Sequence, residues 1–261
     1  MTRAHSAPEL QDALRELEVM AVSGLLPSGG KLLELGGADG FQAKVLANAG
    51  FDVTSIDIAS RNTRGELLFP VLNYDGRTIP FGDGSFDAVF SSNVLEHIPD
   101  LANSLAEIRR VLKVGGVAVH ILPTAVWRFW TTLTHYPWLL RRTLLRGRET
   151  PPSVAPDPDH SVQDSPRPGP RWDAWRSALA LGLAPHGEYP NAIAELYYFR
   201  KGTWERAFQA NGFEVISYFP TGLFYTGQLL VAALPISTRR ALARILGSSC
   251  AIFVTRVSRP L

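Results

Sequence analysis

The stretch KLLELGGADGFQAKVLANAGFDVTSIDIAS, Lys31 to Ser60, decides the fold. Its apolar run through Glu34 reads as a strand, Gly36 to Gly40 as a glycine-rich turn, and the residues after it as a short helix. A second strand follows and ends on Asp57 and Ile58, with Asp57 lying 23 residues beyond Glu34. A strand, glycine turn and helix in succession build a cradle where backbone comes close to a ligand, because Gly36 and Gly40 carry no Cβ to intrude. An acid at the tip of the second strand is placed to accept hydrogen bonds from both hydroxyls of a ribose. The arrangement points to a nucleoside-containing cofactor.

Two cofactor classes use this layout, and the turn separates them. A dinucleotide site needs G-x-G-x-x-G, with the pyrophosphate seated on a helix N-terminus. Glu34-Leu35-Gly36-Gly37-Ala38-Asp39-Gly40 offers no register for it. The segment resembles instead motif I of the class I S-adenosylmethionine (SAM) methyltransferases, an acid-x-G-x-G-x-G run, with Ala38 at the middle glycine. Three later segments resemble the same family's downstream motifs in order and spacing. Asp75, ahead of Ile79-Pro80-Phe81, matches the acid that contacts the adenine amino group. Ser85 to Phe90 looks like the fourth strand, followed by Asn93-Val94-Leu95-Glu96-His97 at its cofactor-facing end. Val111-Leu112-Lys113-Val114-Gly115-Gly116 resembles the turn before the fifth strand, with Val114 where proline is usual.

The resemblance covers about residues 25–123. It implies an α/β fold, a seven-stranded doubly wound Rossmann-like sheet, carrying an insertion between strands 5 and 6. It further implies SAM as cofactor, S-adenosylhomocysteine as product, and cofactor contacts from Glu34, Gly36, Gly40, Asp57, Ile58, Asp75 and Asn93. A nicotinamide-dependent oxidoreductase and a non-catalytic SAM-fold binding protein are the rivals from other classes.

Composition is compatible with this and excludes other classes. The 261 residues are 46% hydrophobic and 19% charged, enough for a sizeable core. A net charge of +2 argues against a general nucleic-acid binder, and the single cysteine, Cys250, forbids an internal disulfide. No apolar run approaches the roughly 18 residues of a membrane span, and the N-terminus has no signal-peptide core. A cytoplasmic location is expected.

Residues 1–24 read as an amphipathic lead-in helix, 25–123 as the cofactor-binding core, 124–202 as a substrate-covering insertion, and 203–261 as the rest of the core. In the last part, Trp204 and Phe208 belong to a helix ended by Asn211-Gly212, Phe213 to Phe219 to a sixth strand, and Ala251 to Val257 to a seventh. The insertion opens with aromatics (Trp127, Phe129, Trp130, Tyr136, Trp138) interleaved with Arg128, Arg141, Arg142, Arg146 and Arg148. It continues through a loop, 149–171, that holds seven prolines and is expected to be mobile. The aromatic–basic stretch admits three readings: core packing, a lid over the acceptor, or a peripheral membrane contact through 124–148. A lid with interfacial tendency is preferred.

Methyl transfer asks chiefly for positioning, but an oxygen acceptor also needs its proton removed, and histidine is the economical base. Of six histidines, His5 and His160 fall in the terminus and the proline loop, His120 within the fifth strand, and His135 in the aromatic stretch. His97 follows the fourth strand, and His186 sits on the insertion with Glu188 and Glu195 close in sequence. The run around His186 resembles a feature of bacterial methyltransferases of glycan and natural-product gene sets, and His186 is preferred over His97 as base. The expected acceptor is a hydroxyl of a sugar, glycan or glycolipid, with a small aromatic or polyketide-like metabolite as alternative. No metal is expected.

Overall fold

The computed structural model describes residues 7–58, 67–145, 184–227 and 234–258. The proline-rich loop 149–171, His5, His160, Arg146 and Arg148, and the side chains of Trp138, Arg141 and Arg142, lie outside the described residues.

The chain opens with α1 (Ala7–Ser23), then alternates β1 (Lys31–Leu35), α2 (Phe41–Asn48), β2 (Asp52–Ile58), β3 (Val71–Tyr74) and β4 (Phe86–Ser92). A 3-10 turn at Leu95–His97 leads into α3 (Leu101–Val111) and the long β5 (Leu112–Pro123). Beyond it come α4 (Ala125–Leu145), α5 (Ala192–Tyr198), α6 (Lys201–Ala210), β6 (Phe213–Pro220), α7 (Ile236–Leu246) and β7 (Cys250–Val257). The strands form a seven-stranded sheet in the order β3-β2-β1-β4-β5-β7-β6, in which β7 runs antiparallel to β5 and to β6. The insertion expected between strands 5 and 6 contributes α4 and α5.

Side chains alternate between the two faces of each strand. Leu32, Ala88, Phe90, Val119 and Ile121 meet Val19 and Val22 of α1 and Leu46 of α2. Leu33, Leu35, Val89, Ala118 and Leu122 meet Leu105, Ile108 and Val111 of α3 and Trp204 and Phe208 of α6. Covered on both faces, the central strands read as continuous apolar runs. β1 and β4 are parallel neighbours, so both chain reversals that follow them lie at one sheet edge, where such folds bind ligands.

The aromatic–basic stretch is a helix with two unlike sides. Trp127, Arg128, Thr131 and His135 are buried, while Phe129, Leu133 and Tyr136 are exposed. Trp127, named above with the lid, packs against Phe199 and His186. His120 is a core residue, as its place in a central strand suggests. Its Nδ1 lies 2.8 Å from Ser91 Oγ, and burial pushes its pKa down to about 3. Among the described residues, no helix is long and apolar enough to cross a membrane.

Candidate active site at the ends of β1, β2 and β4

Gly36 and Gly37 leave β1 by donating both backbone N–H groups to Ile56 O, at 2.8 and 3.1 Å. Gly36 and Gly40 adopt φ values of 83° and 80°, which favour glycine. Their bareness serves the protein first. A Cβ on Gly36 would run into the Val94 side chain, and one on Gly40 would lie 2.7 Å from the backbone of Phe69. Ala38 also takes a positive φ, 48°, which explains why a glycine suits this position in the resembling motif. The Ala38 N–H donates to Asp57 Oδ2 at 2.7 Å, so the acid closing β2 ties down the turn after β1. Asp57 Oδ1 accepts from Ile58 N–H, and each oxygen keeps a lone pair for a ligand.

These residues wall a cavity of ≈ 900 Å³, at the upper end of the range for small-molecule sites. Its lining includes Gly36, Ala38, Asp57, Ile58, Asp75, Asn93 and His97. Among the described residues, four carboxylates (Asp39, Asp57, Asp75, Asp100) face it against two guanidiniums, Arg15 and Arg77, a balance that suits a cationic ligand. Asp75 Oδ1 accepts from the N–H groups of Thr78 and Arg77, which hold its carboxyl below the usual range and leave Oδ2 at the rim. Burial pushes the Tyr74 phenol up to about 12, so it stays protonated on the wall.

Glu34 and Gly40 stand behind this wall rather than in it. Glu34 is buried under the turn, accepts from Ser55 Oγ at 2.6 Å, and is pushed up to about 7 by burial. Gly40 caps the start of α2.

On the acceptor side, two distant stretches meet. The rings of His97 and His186 are 4.7 Å apart, centroid to centroid, and Trp127 lies 4.7 Å from His186 on the other side. His186 itself does not line the cofactor cavity; it reaches it through His97. What holds His186 is a carboxylate that the sequence placed only as a neighbour. Glu195, fully buried, accepts from the N–H groups of His186 and Gly187 at 2.6 and 2.7 Å. Its other oxygen pairs with Arg128 Nε at 3.0 Å, and Arg128 also donates to Ala184 O. Gly187 lies so close to Glu96 O that a Cβ would overlap it, and Glu188 N–H donates to the same carbonyl. The loop bearing His186 is thus pinned to the segment bearing His97.

Glu96, His97 and His186 each offer one ligand atom within 4.8 Å of the others, an arrangement that a divalent ion could draw together. No local spacing announces it, because the third member joins from 89 residues downstream.

Comparison with known proteins bears on the cofactor side. Residues 33–120 match the family described as a methyltransferase domain. The core of this chain is therefore similar to the class I SAM-dependent methyltransferases. It is similar to an uncharacterized methyltransferase of Mycobacterium sp. (strain KMS), at 34% identity over 42% of this chain and 46% of the relative. The chain therefore spans about half the length of that relative. A ubiquinone biosynthesis O-methyltransferase of Bordetella avium is 27% identical over 65% of this chain and 69% of its own. In architecture, the chain resembles the SAM-dependent methyltransferase from Mesorhizobium loti, with a TM-score of 0.51 at 16% identity, over 92% of this chain and 97% of that one. The sheet order, with β7 antiparallel, is that of the class I methyltransferase fold.

The family's cofactor is SAM, and the residues on this cavity fit it. Asp57 offers the paired oxygens a ribose needs, Asp75 a rim acceptor, and the acidic balance a counter-charge for sulfonium and ammonium. Arg128 was legible in principle. It lies on the same helical face as Thr131 and His135, where a charge has to find a partner.

Proposed function

We propose that this chain is a SAM-dependent O-methyltransferase acting on a small molecule, with the His97–His186 pair taking the acceptor's proton. The observation that carries this reading is the meeting of two imidazoles from distant parts of the sequence, one of which, His97, lines the cofactor cavity. Bound in the cavity, the cofactor supplies an electrophilic methyl group. Asp57 and Asp75 hold its nucleoside end, and the turn at Gly36–Ala38 bounds its other end. Displacement is in-line, so alignment of acceptor and methyl group contributes much of the acceleration.

A sugar, glycan or glycolipid hydroxyl has a pKa far above neutral and needs a base during attack. Histidine is the side chain suited to that step. Glu195 and Arg128 act as positioning residues that fix the His186 backbone. A ring hydroxyl is the second reading, favoured by the name of the Bordetella relative.

The test is turnover of His97→Ala, His186→Ala and the double variant, with a sugar and a phenolic acceptor, before and after EDTA. The proposal expects a fall of about 10²–10⁴ in turnover of the sugar acceptor for the double variant, with S-adenosylhomocysteine affinity retained. Unchanged turnover in the double variant would overturn the base. Loss on EDTA, restored by a divalent metal, would replace the base by a metal at Glu96, His97 and His186.

A further inference from the structure

A second polar chain runs behind the cofactor cavity and joins parts of the sequence that lie far apart. Tyr225 Oη is 2.7 Å from Glu18 Oε1 on α1 and 2.9 Å from Cys250 Sγ at the start of β7. Cys250 Sγ is in turn 3.4 Å from Asn93 Oδ1, and Asn93 lines the cavity just after β4. Asn93 is fixed there: its φ is 53°, its N–H donates to Ile121 O, and its Nδ2 donates to Ser92 Oγ. Glu18 and Cys250 are each 1% exposed, so water does not complete the chain for them.

Counting protons fixes the direction of these contacts. Tyr225 has one O–H and Cys250 one S–H, while Asn93 Oδ1 and an ionised carboxylate only accept. Three contacts need three protons, so all three are hydrogen bonds only when Glu18 is protonated. Glu18 then donates to Tyr225, Tyr225 to Cys250, and Cys250 to Asn93. When Glu18 is ionised, Tyr225 donates to the carboxylate and two protons serve three contacts; the charged carboxylate, also within reach of Cys250 Sγ, is a stronger acceptor than the amide oxygen and draws the thiol proton to itself. Asn93 Oδ1 then loses its protein donor and can accept from a ligand in the cavity.

We infer that Glu18, Tyr225 and Cys250 are positioning residues for the cofactor, and that one proton on Glu18 decides whether Asn93 Oδ1 is held by the protein or offered to the ligand. The inference rests on the reading of the cavity as the SAM site. Among the described residues, the groups that face the chain are few. Arg15, one turn earlier on α1, favours the charged carboxylate; Tyr225 does too, by its hydrogen bond; and Glu96 acts on Cys250. Burial outweighs them and holds Glu18 up at about 7, while it drives the Tyr225 and Cys250 pKa values well above their usual range. Among these three, Glu18 is the group that titrates near neutrality.

The test is calorimetric titration of the full chain with S-adenosylhomocysteine across neutrality. Affinity is expected to rise about three- to tenfold as pH passes through about 7, the worth of one hydrogen bond. Glu18→Gln keeps a donor permanently in place, so its profile should be flat at the weak, low-pH level. Tyr225→Phe breaks the chain and should also be flat. Cys250→Ser keeps an O–H at the same point and should retain the step, as should Glu34→Gln, which removes the other carboxyl near the cavity that burial holds up at about 7. A flat wild-type profile, or a step that survives in Glu18→Gln, overturns the inference. Glu18→Gln is isosteric and decides the matter alone if Tyr225→Phe fails to fold. Absence of binding at every pH would instead sink the cofactor reading, and this inference with it.

Discussion

The cofactor side and the acceptor side of this site are built in opposite ways. On the cofactor side, Gly36, Ala38 and Asp57 come from adjacent parallel strands, and the ladder that pairs Glu34 with Ser55 sets their positions. Backbone hydrogen bonds do most of the holding, and the tie from Ala38 to Asp57 needs one side chain. On the acceptor side, His97 and His186 are brought together by a buried ion pair, Arg128–Glu195, that joins α4 to α5 and holds the loop before α5. The first arrangement follows from local pattern. The second depends on two charges finding each other out of water.

That difference predicts where each side breaks. Glu195→Ala should have the largest effect, because it strands the Arg128 guanidinium and frees two backbone N–H groups. Removing one member of a buried pair costs about 3–5 kcal/mol, readable by denaturant unfolding. S-adenosylhomocysteine affinity of the variant that remains folded should stay within about twofold of wild type. An equal loss on the cofactor side would show that the two halves are one unit.

A somewhat smaller effect should come from pH, and it belongs to the cofactor side. Glu34 is held neutral by burial, with a pKa raised from 4.5 to about 7. The folded protein therefore keeps a proton that the unfolded chain releases, and stability falls as pH rises from about 4.5 to about 7. The loss approaches about 3 kcal/mol for this one group, and Glu18 acts in the same direction. Thermal melting of wild type against Glu34→Gln across this window should show the slope reduced in the variant. Equal slopes would mean that Glu34 is ionised in the fold.

The smallest change sharpens the comparison at a single backbone position. Ala38→Gly relieves a left-handed φ of 48° and should stabilise the protein by about 0.5–1 kcal/mol. No gain would mean that the flexibility glycine adds to the unfolded chain offsets the relief.

The same contrast explains what could be read from the chain. The strand ends, the glycine turn and Asp57 follow from apolar runs and spacing within about thirty residues, and the sheet places them as those runs suggest. Glu34 was less legible. The motif resemblance marked it as a cofactor acid, but strand alternation turns it beneath the turn toward Ser55. The clamp on His186 was hidden because Arg128 and Glu195 stand 67 residues apart and signal only as a charge on a buried helical face. The chain from Glu18 to Asn93 was less legible still. It joins α1, the 225 loop and β7, and nothing local in any of them announces the others.

The central claim is that the cavity at the ends of β1, β2 and β4 is a SAM site organised by Asp57. Calorimetric titration of wild type and Asp57→Ala with S-adenosylhomocysteine tests it most directly. The account predicts saturable binding by wild type, weakened in the variant by at least about 1.5–3 kcal/mol, roughly ten- to a hundredfold or more. Equal affinity in a folded Asp57→Ala, or no binding by wild type, would contradict it.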